Sequence, residues 1–175
     1  MKQLTMRPAC EQDVDIIYEW ANDPVTRSQS WSTEPIVYEN HVKWFMNRIK
    51  ATDRLFYIFF EGDEPVGSVR LDPNGEGVLI MSCQIAPSKR GQGYGQTMFK
   101  MIDQMVYEAW PDIDTVKLTA EVRADNIGSC RCLDVNGYSR ELIEGVYHYG
   151  RDLLPRCFLQ APFGESCKTF LENVA

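Results

Sequence analysis

The sequence predicts an α/β (α+β) domain: a central mixed, twisted sheet of about six to seven strands flanked by about four helices. Three observations predict it. Aromatic and β-branched runs, "RLFYIFFEG", "VGSVRLD" and "VLIMSCQI", are separated by short turn signals, as sheet strands are. Several other segments repeat apolar residues at helical spacing. The order strand, glycine turn, helix, strand over Val78 to Arg123 is a βαβ unit, so its two strands should be parallel. At 175 residues the chain fits one domain, read here as 1–160 with a C-terminal extension at 161–175.

Each element is justified in turn. Gln3 to Met6 reads as a short strand. "EQDVDIIYEWAND" reads as a helix with Val14, Ile17, Tyr18 and Ala21 on one face, ended by Pro24. "VTRSQSWST" reads as a polar loop. Pro35 suits an early helical position, so a second helix is expected from Ile36 to Lys50, with Val42, Phe45, Met46 and Ile49 facing a core. "RLFYIFFEG" and "VGSVRLD" make a hairpin across "GDEP", and "DPNGEG" turns the chain into "VLIMSCQI". A third helix carries Met98, Met101, Ile102, Met105 and Val106 on one face. "TVKLTAEVR" alternates Val116, Leu118, Ala120 and Val122 with Lys117, Thr119, Glu121 and Arg123, which is a strand period. Asn126 is a good N-cap for a short fourth helix and Gly137 a good stop. "GYSRELIEG" starts another strand, and "YGRDLLP" reads as a turn before a last strand in "RCFLQAP".

Charge and cysteine usage narrow the function. A net charge of −7 and a pI near 4.9 argue against a nucleic-acid backbone or an anionic membrane as the main partner. "MKQLTMRPACEQD" has no apolar leader, and no run approaches the ~18 apolar residues of a membrane span, so a cytoplasmic protein is expected. Six cysteines without a C-x-x-C pair, beside two histidines, point to reduced thiols and no metal site. Cys83 shares its strand face with Leu79, Met81 and Ile85, and so reads as a core thiol.

The segment "IAPSKRGQGYGQTMFKMI" carries the chemistry. A strand that ends in a glycine turn and enters a helix presents backbone N–H groups to an anion, and glycine lets a diphosphate come close. Walker A, G-x-x-x-x-G-K-[ST], does not occur. The dinucleotide pattern G-x-G-x-x-G fails because Gln96 stands at its last glycine. What fits is Arg90, Gly91, Gln92, Gly93, Tyr94, Gly95, preceded by "QIAPSK" and followed by Asn126, Ser129 and the pair Gly137, Tyr138. In these two motifs the chain resembles the GCN5-related N-acetyltransferases (GNAT), from the first strand to about Gln160.

That resemblance implies acetyl-coenzyme A as cofactor. Its pyrophosphate would lie on Arg90, Gly91, Gln92, Gly93, Tyr94 and Gly95, its pantetheine arm against the backbone near Ile85, with Asn126 and Ser129 from the second motif. The N-terminal half, "YEWANDPVTRSQSW", "HVKWF" and "VGSVRLD", looks like the branch that acetylates nucleotide-linked amino sugars in pseudaminic acid biosynthesis. It also overlaps with ribosomal-protein N-terminal acetyltransferases, which share an Asn-Asp-Pro segment. For a nucleotide sugar, Arg27, Arg48 and Arg70 would serve the diphosphate and Trp31 or Trp44 the base, with His41 on the same helix as Trp44 and Arg48. Arg70 and Asp72 would bind sugar hydroxyls or form a surface ion pair.

The implied reaction is direct acetyl transfer to a primary amine in a ternary complex, with a backbone N–H near Ile85 polarising the carbonyl. Ser82 and Glu121 are the candidate bases, Glu121 on the premise that its carboxylate is partly removed from water. Leu133 stands where the family often has a tyrosine proton donor, which leaves Tyr138 or water as the donor. Other readings stay open: a protein N-terminal or small-amine acetyltransferase, and a non-catalytic acyl-coenzyme A-binding module. A small-molecule amine is the expected partner, and a homodimer is compatible with the pattern.

Overall fold

Strand alternation here puts apolar side chains on both faces of a single sheet. The computed structural model, which describes residues 3–75, 77–113 and 116–154, places seven strands in it. These are β1 (Thr5–Pro8), β2 (Leu55–Glu61), β3 (Glu64–Pro73), β4 (Val78–Ile85), β5 (Lys117–Arg123), β6 (Ser139–Ile143) and β7 (Val146–Asp152), in the order β1-β2-β3-β4-β5-β7-β6. Every neighbouring pair is antiparallel except β4 and β5, which are parallel as the crossover requires.

Six helices lie among the described residues: α1 (Val14–Asn22), α2 (Pro24–Ser28), α3 (Tyr38–Lys50), α4 (Tyr94–Lys100), α5 (Ile102–Ala109) and α6 (Ile127–Asp134). The helices α4, α5 and α6 cover one face of the sheet. Met98, Ile102, Met105, Val106 and Leu133 pack there against Val69, Leu71, Leu79, Met81, Leu118 and Ala120. The other face is covered at its β2 end, where Ile17 and Trp20 of α1 and Phe45 of α3 meet Phe56 and Ile58. Phe45 and Ile58 are fully buried, each a burial of roughly 1.5–3 kcal/mol.

Several expectations are corrected. The polar loop after Asn22 begins with a helical turn, α2, because the Asp23 carboxylate accepts the Thr26 N–H and Pro24 occupies the first helical position. The helix expected from Ile36 starts at Tyr38, with Val37 as its N-cap, and Pro35 lies outside it. The long glycine-turn helix divides at Met101 into α4 and α5, which with α2 brings the helices among the described residues to six. "YGRDLLP" is not a turn: Tyr149 to Asp152 belong to β7, and the chain reverses at Glu144 and Gly145, both at positive φ. The strand expected in "RCFLQAP" and the extension at 161–175 lie outside the described residues.

A buried ion pair ties β7 to α5. Arg151 donates from Nη1 (3.1 Å) and Nη2 (2.7 Å) to Asp103, which also accepts the Leu154 N–H at 3.0 Å. Removing the carboxylate leaves a buried guanidinium unpaired. Asp103→Ala should therefore cost about 3–5 kcal/mol, read as a lowered midpoint of urea unfolding.

Candidate active site

The parallel pairing of β4 and β5 covers only Val78↔Lys117, Leu79↔Leu118 and Ile80↔Thr119. Beyond Ile80 the strands part, so the β5-facing edge of Met81–Ile85 has no strand partner among the described residues. A sheet edge with unpaired peptide groups can bind an extended, amide-bearing chain. The gap is open at the end of β4 where the glycine turn begins.

The turn is shaped by backbone conformation. Gly91 (φ 73°) and Gly93 (φ 86°) are left-handed, and a Cβ on either would point into open space with no atom within 4 Å. Their role is conformational, and the space they face is free for a phosphate. Gly93 is the N-cap of α4, whose first-turn N–H groups have no intrahelical acceptor. Gly95 does something else: its Cβ would lie 2.9 Å from Cys132 Sγ, so it permits α4 to approach α6. The Tyr94 hydroxyl, buried on the same helix, donates to Glu61 at 2.5 Å and is not directed to the turn.

The Asn-Asp-Pro segment joins this turn to the N-terminal half. Asn22 clamps the backbone of Ile36, donating from Nδ2 to its carbonyl (3.0 Å) and accepting its N–H (2.7 Å). Asp23 caps α2 and pairs with Arg90 Nη2 at 2.6 Å, while that same nitrogen donates to Thr26 Oγ1 at 2.8 Å. Burial alone would raise the Asp23 carboxyl, but its bonds from Arg90 and the Thr26 N–H outweigh this and hold it below the usual carboxylate range. Arg90 thus anchors the turn, a role that spacing alone did not reveal.

One sheet face carries the remaining polar groups. Directly opposed residues share a face, so Ser68, Arg70 and Asp72 of β3 lie with Gln84, Ser82 and Ile80 of β4. The same face continues through Thr119 and Glu121 of β5, His148 of β7 and Glu141 of β6. Toward α3, Arg70 lies 5.2 Å and Arg48 5.7 Å from the Trp44 ring centroid. Asp72 pairs with Arg48 and, at 3.6 Å, with Arg54. Among the described residues Arg70 has no carboxylate within ion-pair distance, and burial together with neighbouring Arg48 pulls its guanidinium down to about 10. Toward β6 the face opens into a groove of about 420 Å³, walled by Ile80, Thr119, Glu121, Glu141 and His148 among others.

The residues expected at the site divide accordingly. Ser82, Glu121, Arg70, Asp72 and Trp44 share the polar face, while Arg90, Gly91, Gln92 and Gly93 form the turn at the end of the gap that starts beside Ile85. Asn126 caps α6 by accepting the Ser129 N–H at 3.2 Å. Arg27 is tied to its own loop, donating to Ser30 Oγ (2.7 Å) and the Glu34 carbonyl (3.3 Å), and Trp31 is exposed.

His41 does not line a cleft. It is 2% exposed and donates from Nε2 to the Val14 carbonyl at 3.0 Å, locking α3 to α1. Tyr138 is also interior, edge-on to Phe99, with its hydroxyl accepting from Arg151 at 3.4 Å. It packs on the α4 and α5 face, opposite Ser82 and Glu121, and burial pushes its hydroxyl up to about 12. Glu121 departs from its premise: its side chain is 45% exposed, so it remains in contact with water. Burial pushes the Cys83 thiol up, in keeping with a core thiol. The sequence reading missed His148, whose Nδ1 lies 3.7 Å from Glu121 Oε1; only the register of β7 against β5 brings the two together.

A parallel pair that opens partway along its strands, above a glycine turn at a helix start, defines a coenzyme A-dependent acyltransferase architecture. The chain matches the acetyltransferase (GNAT) domain over residues 3–152 and belongs to that family; it is an N-acetyltransferase. It is 22% identical to acetyltransferase PseH of Campylobacter jejuni over 154 residues, 86% of this chain and 88% of that protein. The fold is similar to that of AAC(6')-Ib in complex with acetyl-CoA (TM-score 0.73, 18% identity, 94% of this chain and 99% of that one). It is likewise similar to the spermidine N-acetyltransferase of Vibrio cholerae in complex with CoA and spermine (TM-score 0.71, 18% identity, 91% and 100% covered).

Two outcomes follow from this geometry. Gly93→Ala forces a left-handed alanine, a strain of roughly 1–2 kcal/mol, at the turn; steady-state kinetics should show the KM for acetyl-CoA raised about tenfold and the KM for the amine unchanged. Burial lowers the His41 imidazole below its ordinary 6.5, so on acidification the unfolded chain takes up the proton first. Stability from this group is complete above that value and is lost as pH falls below it. The unfolding free energy should drop between about pH 7 and 5, and His41→Gln should flatten that drop.

Proposed function

We propose that the chain moves the acetyl group of acetyl-CoA to the primary amine of a nucleotide-linked amino sugar, by direct transfer in a ternary complex. The observation that carries this reading is Arg70: a largely buried guanidinium with no carboxylate partner among the described residues, beside a second arginine and over an indole ring. A largely buried guanidinium whose neighbouring carboxylate, Asp72, is already paired with Arg48 and Arg54 favours an anionic ligand, and a diphosphate next to a flat base fits Arg70 and Trp44 together. The likeness to PseH supports the same branch.

The chain's own residues divide the work. Gly91, Gly93 and the first turn of α4 hold the pyrophosphate, with Arg90 fixing the turn, and the free edge of β4 toward Ile85 takes the pantetheine amides. The bound coenzyme supplies an acyl group already activated as a thioester. Trp44 and Arg70 place the acceptor on the open face, where Ser82 and Glu121 lie beside the gap. Holding both reactants in near-attack geometry contributes roughly 7–11 kcal/mol, so a weak base suffices. The groove carboxylates Glu121 and Glu141 favour a second reading, in which a cationic polyamine or a peptide N-terminus is the acceptor.

Thiol release from acetyl-CoA with a uridine-diphosphate 4-amino-sugar, a free aminohexose, spermidine and an N-terminal peptide separates the readings. Turnover confined to the nucleotide sugar is the expected result, and turnover confined to the peptide or polyamine overturns it. Arg70→Ala should lose about 2 kcal/mol of acceptor binding, roughly 30-fold in its KM, and leave the KM for acetyl-CoA unchanged.

A further inference from the structure

We infer that His148 is the base that takes the proton from the acceptor amine, within a cross-strand row formed by Glu121, His148 and Glu141. Register places them so: Glu121 on β5 opposes His148 on β7, and Glu141 on β6 opposes His148 from the other side. All three side chains point to the open face and wall the 420 Å³ groove. Ile80 and Thr119, the last paired residues before β4 and β5 part, line the same groove. The imidazole therefore stands where the gap that takes the pantetheine arm meets the face that takes the acceptor.

Chemistry favours the imidazole over its neighbours. An aliphatic amine arrives as an ammonium ion, and two carboxylates flanking the imidazole attract it to this wall of the groove. Glu121 Oε1, 3.7 Å from His148 Nδ1, lies close enough to stabilise the imidazolium that forms. Of the side chains on this wall, the imidazole alone offers a ring nitrogen that can accept a proton while its other nitrogen faces a carboxylate. Lys117 and Arg140 also line the groove, but Arg140 is paired with Asp134 (3.1 Å) and with the Tyr149 hydroxyl (3.0 Å). Asn74, Ser139 and Tyr149 complete the polar lining.

The step balances without any further reagent. An ammonium N–H bond breaks and its proton passes to His148 Nε2; the freed lone pair forms an N–C bond to the acetyl carbonyl. The nitrogen of the adduct then gives its second proton to water as the C–S bond breaks with its electron pair on sulfur, and the thiolate takes a proton back from that water. His148 returns its proton to solvent, to which its half-exposed ring has access. This inference rests on the acetyltransferase reading of the site, not on the identity of the acceptor.

The test replaces His148 by Gln and by Ala, and assays each variant with whichever amine of the panel the unmodified protein acetylates. In that way a wrong acceptor class and a wrong base give separate results. The His148 side chain is half-exposed on the groove wall, so both variants should retain the affinity for coenzyme A, read by calorimetry. The expected result is a roughly 10²-fold loss in kcat for both variants. The acid limb of the kcat/KM profile should disappear, and added imidazole should restore part of the rate of His148→Ala. Glu121→Gln should lower kcat less and leave that limb in place. A kcat within about twofold of the unmodified protein, or an acid limb unchanged in both variants, overturns the proposal.

Discussion

Everything at this site depends on the parting of β4 and β5 after Ile80 and Thr119. A parallel pair buried between helices normally keeps its ladder for its whole length, because each unmade backbone hydrogen bond in the interior costs free energy. Here the two strands stay attached to their other neighbours, β4 to β3 through Gly67↔Ile85 and β5 to β7 through Arg123↔Val146. Each half of the sheet is therefore held by its own antiparallel ladder, and the gap between them persists as a feature of the fold. An extended, amide-bearing chain can replace the missing ladder.

The glycine turn and the N-terminal helices beside the polar face are held in fixed relation to the gap by the Asn-Asp-Pro segment. Asn22 fixes Ile36 and so closes the segment between α2 and α3, while Asp23 caps α2 and grips Arg90 across 67 positions of sequence. Two contacts on Arg90, from Asp23 and Thr26, thus couple the N-terminal helices to the turn before α4. His41 completes the arrangement by locking α3 onto α1, which sets the ridge carrying Trp44 and Arg48 beside Arg70 of β3. The segment is thus a structural junction between the N-terminal helices and the glycine turn.

Strand and helix identities were legible because period and turn chemistry are local. The alternation of Val116 to Arg123 predicted β5 and its buried face, and Asn126 and Gly137 predicted the ends of α6. What local pattern could not supply was orientation and register. His41 and Trp44 are three apart on one helix, yet His41 is sealed against Val14 while Trp44 meets Arg70; tertiary packing makes that difference. Tyr138 stands as a candidate donor, in place of the tyrosine missing at Leu133, by nearness in sequence only, but the sheet separates it from Ser82. His148 went unnoticed because its significance depends on opposition to Glu121 across two strands, and "YGRDLLP" was read as a turn through its glycine and proline although Gly150 is paired with Thr119 and Ser139.

Leu133, where the family often has a tyrosine, bears on what the site must supply. It is 1% exposed on the inner side of α6, so this position is occupied by core packing and offers no hydroxyl to the gap. The consequence for catalysis is asymmetric. A thiol's ordinary pKa is near 8.5, so a departing thiolate needs only modest protonic help near neutrality and water can provide it. An aliphatic amine, with a pKa near that of lysine at about 10.4, is almost entirely protonated at the same pH and cannot attack until it loses a proton. The larger demand is therefore for a base on the acceptor side, and the polar, partly solvated face with Ser82, Glu121 and His148 is where such groups are found.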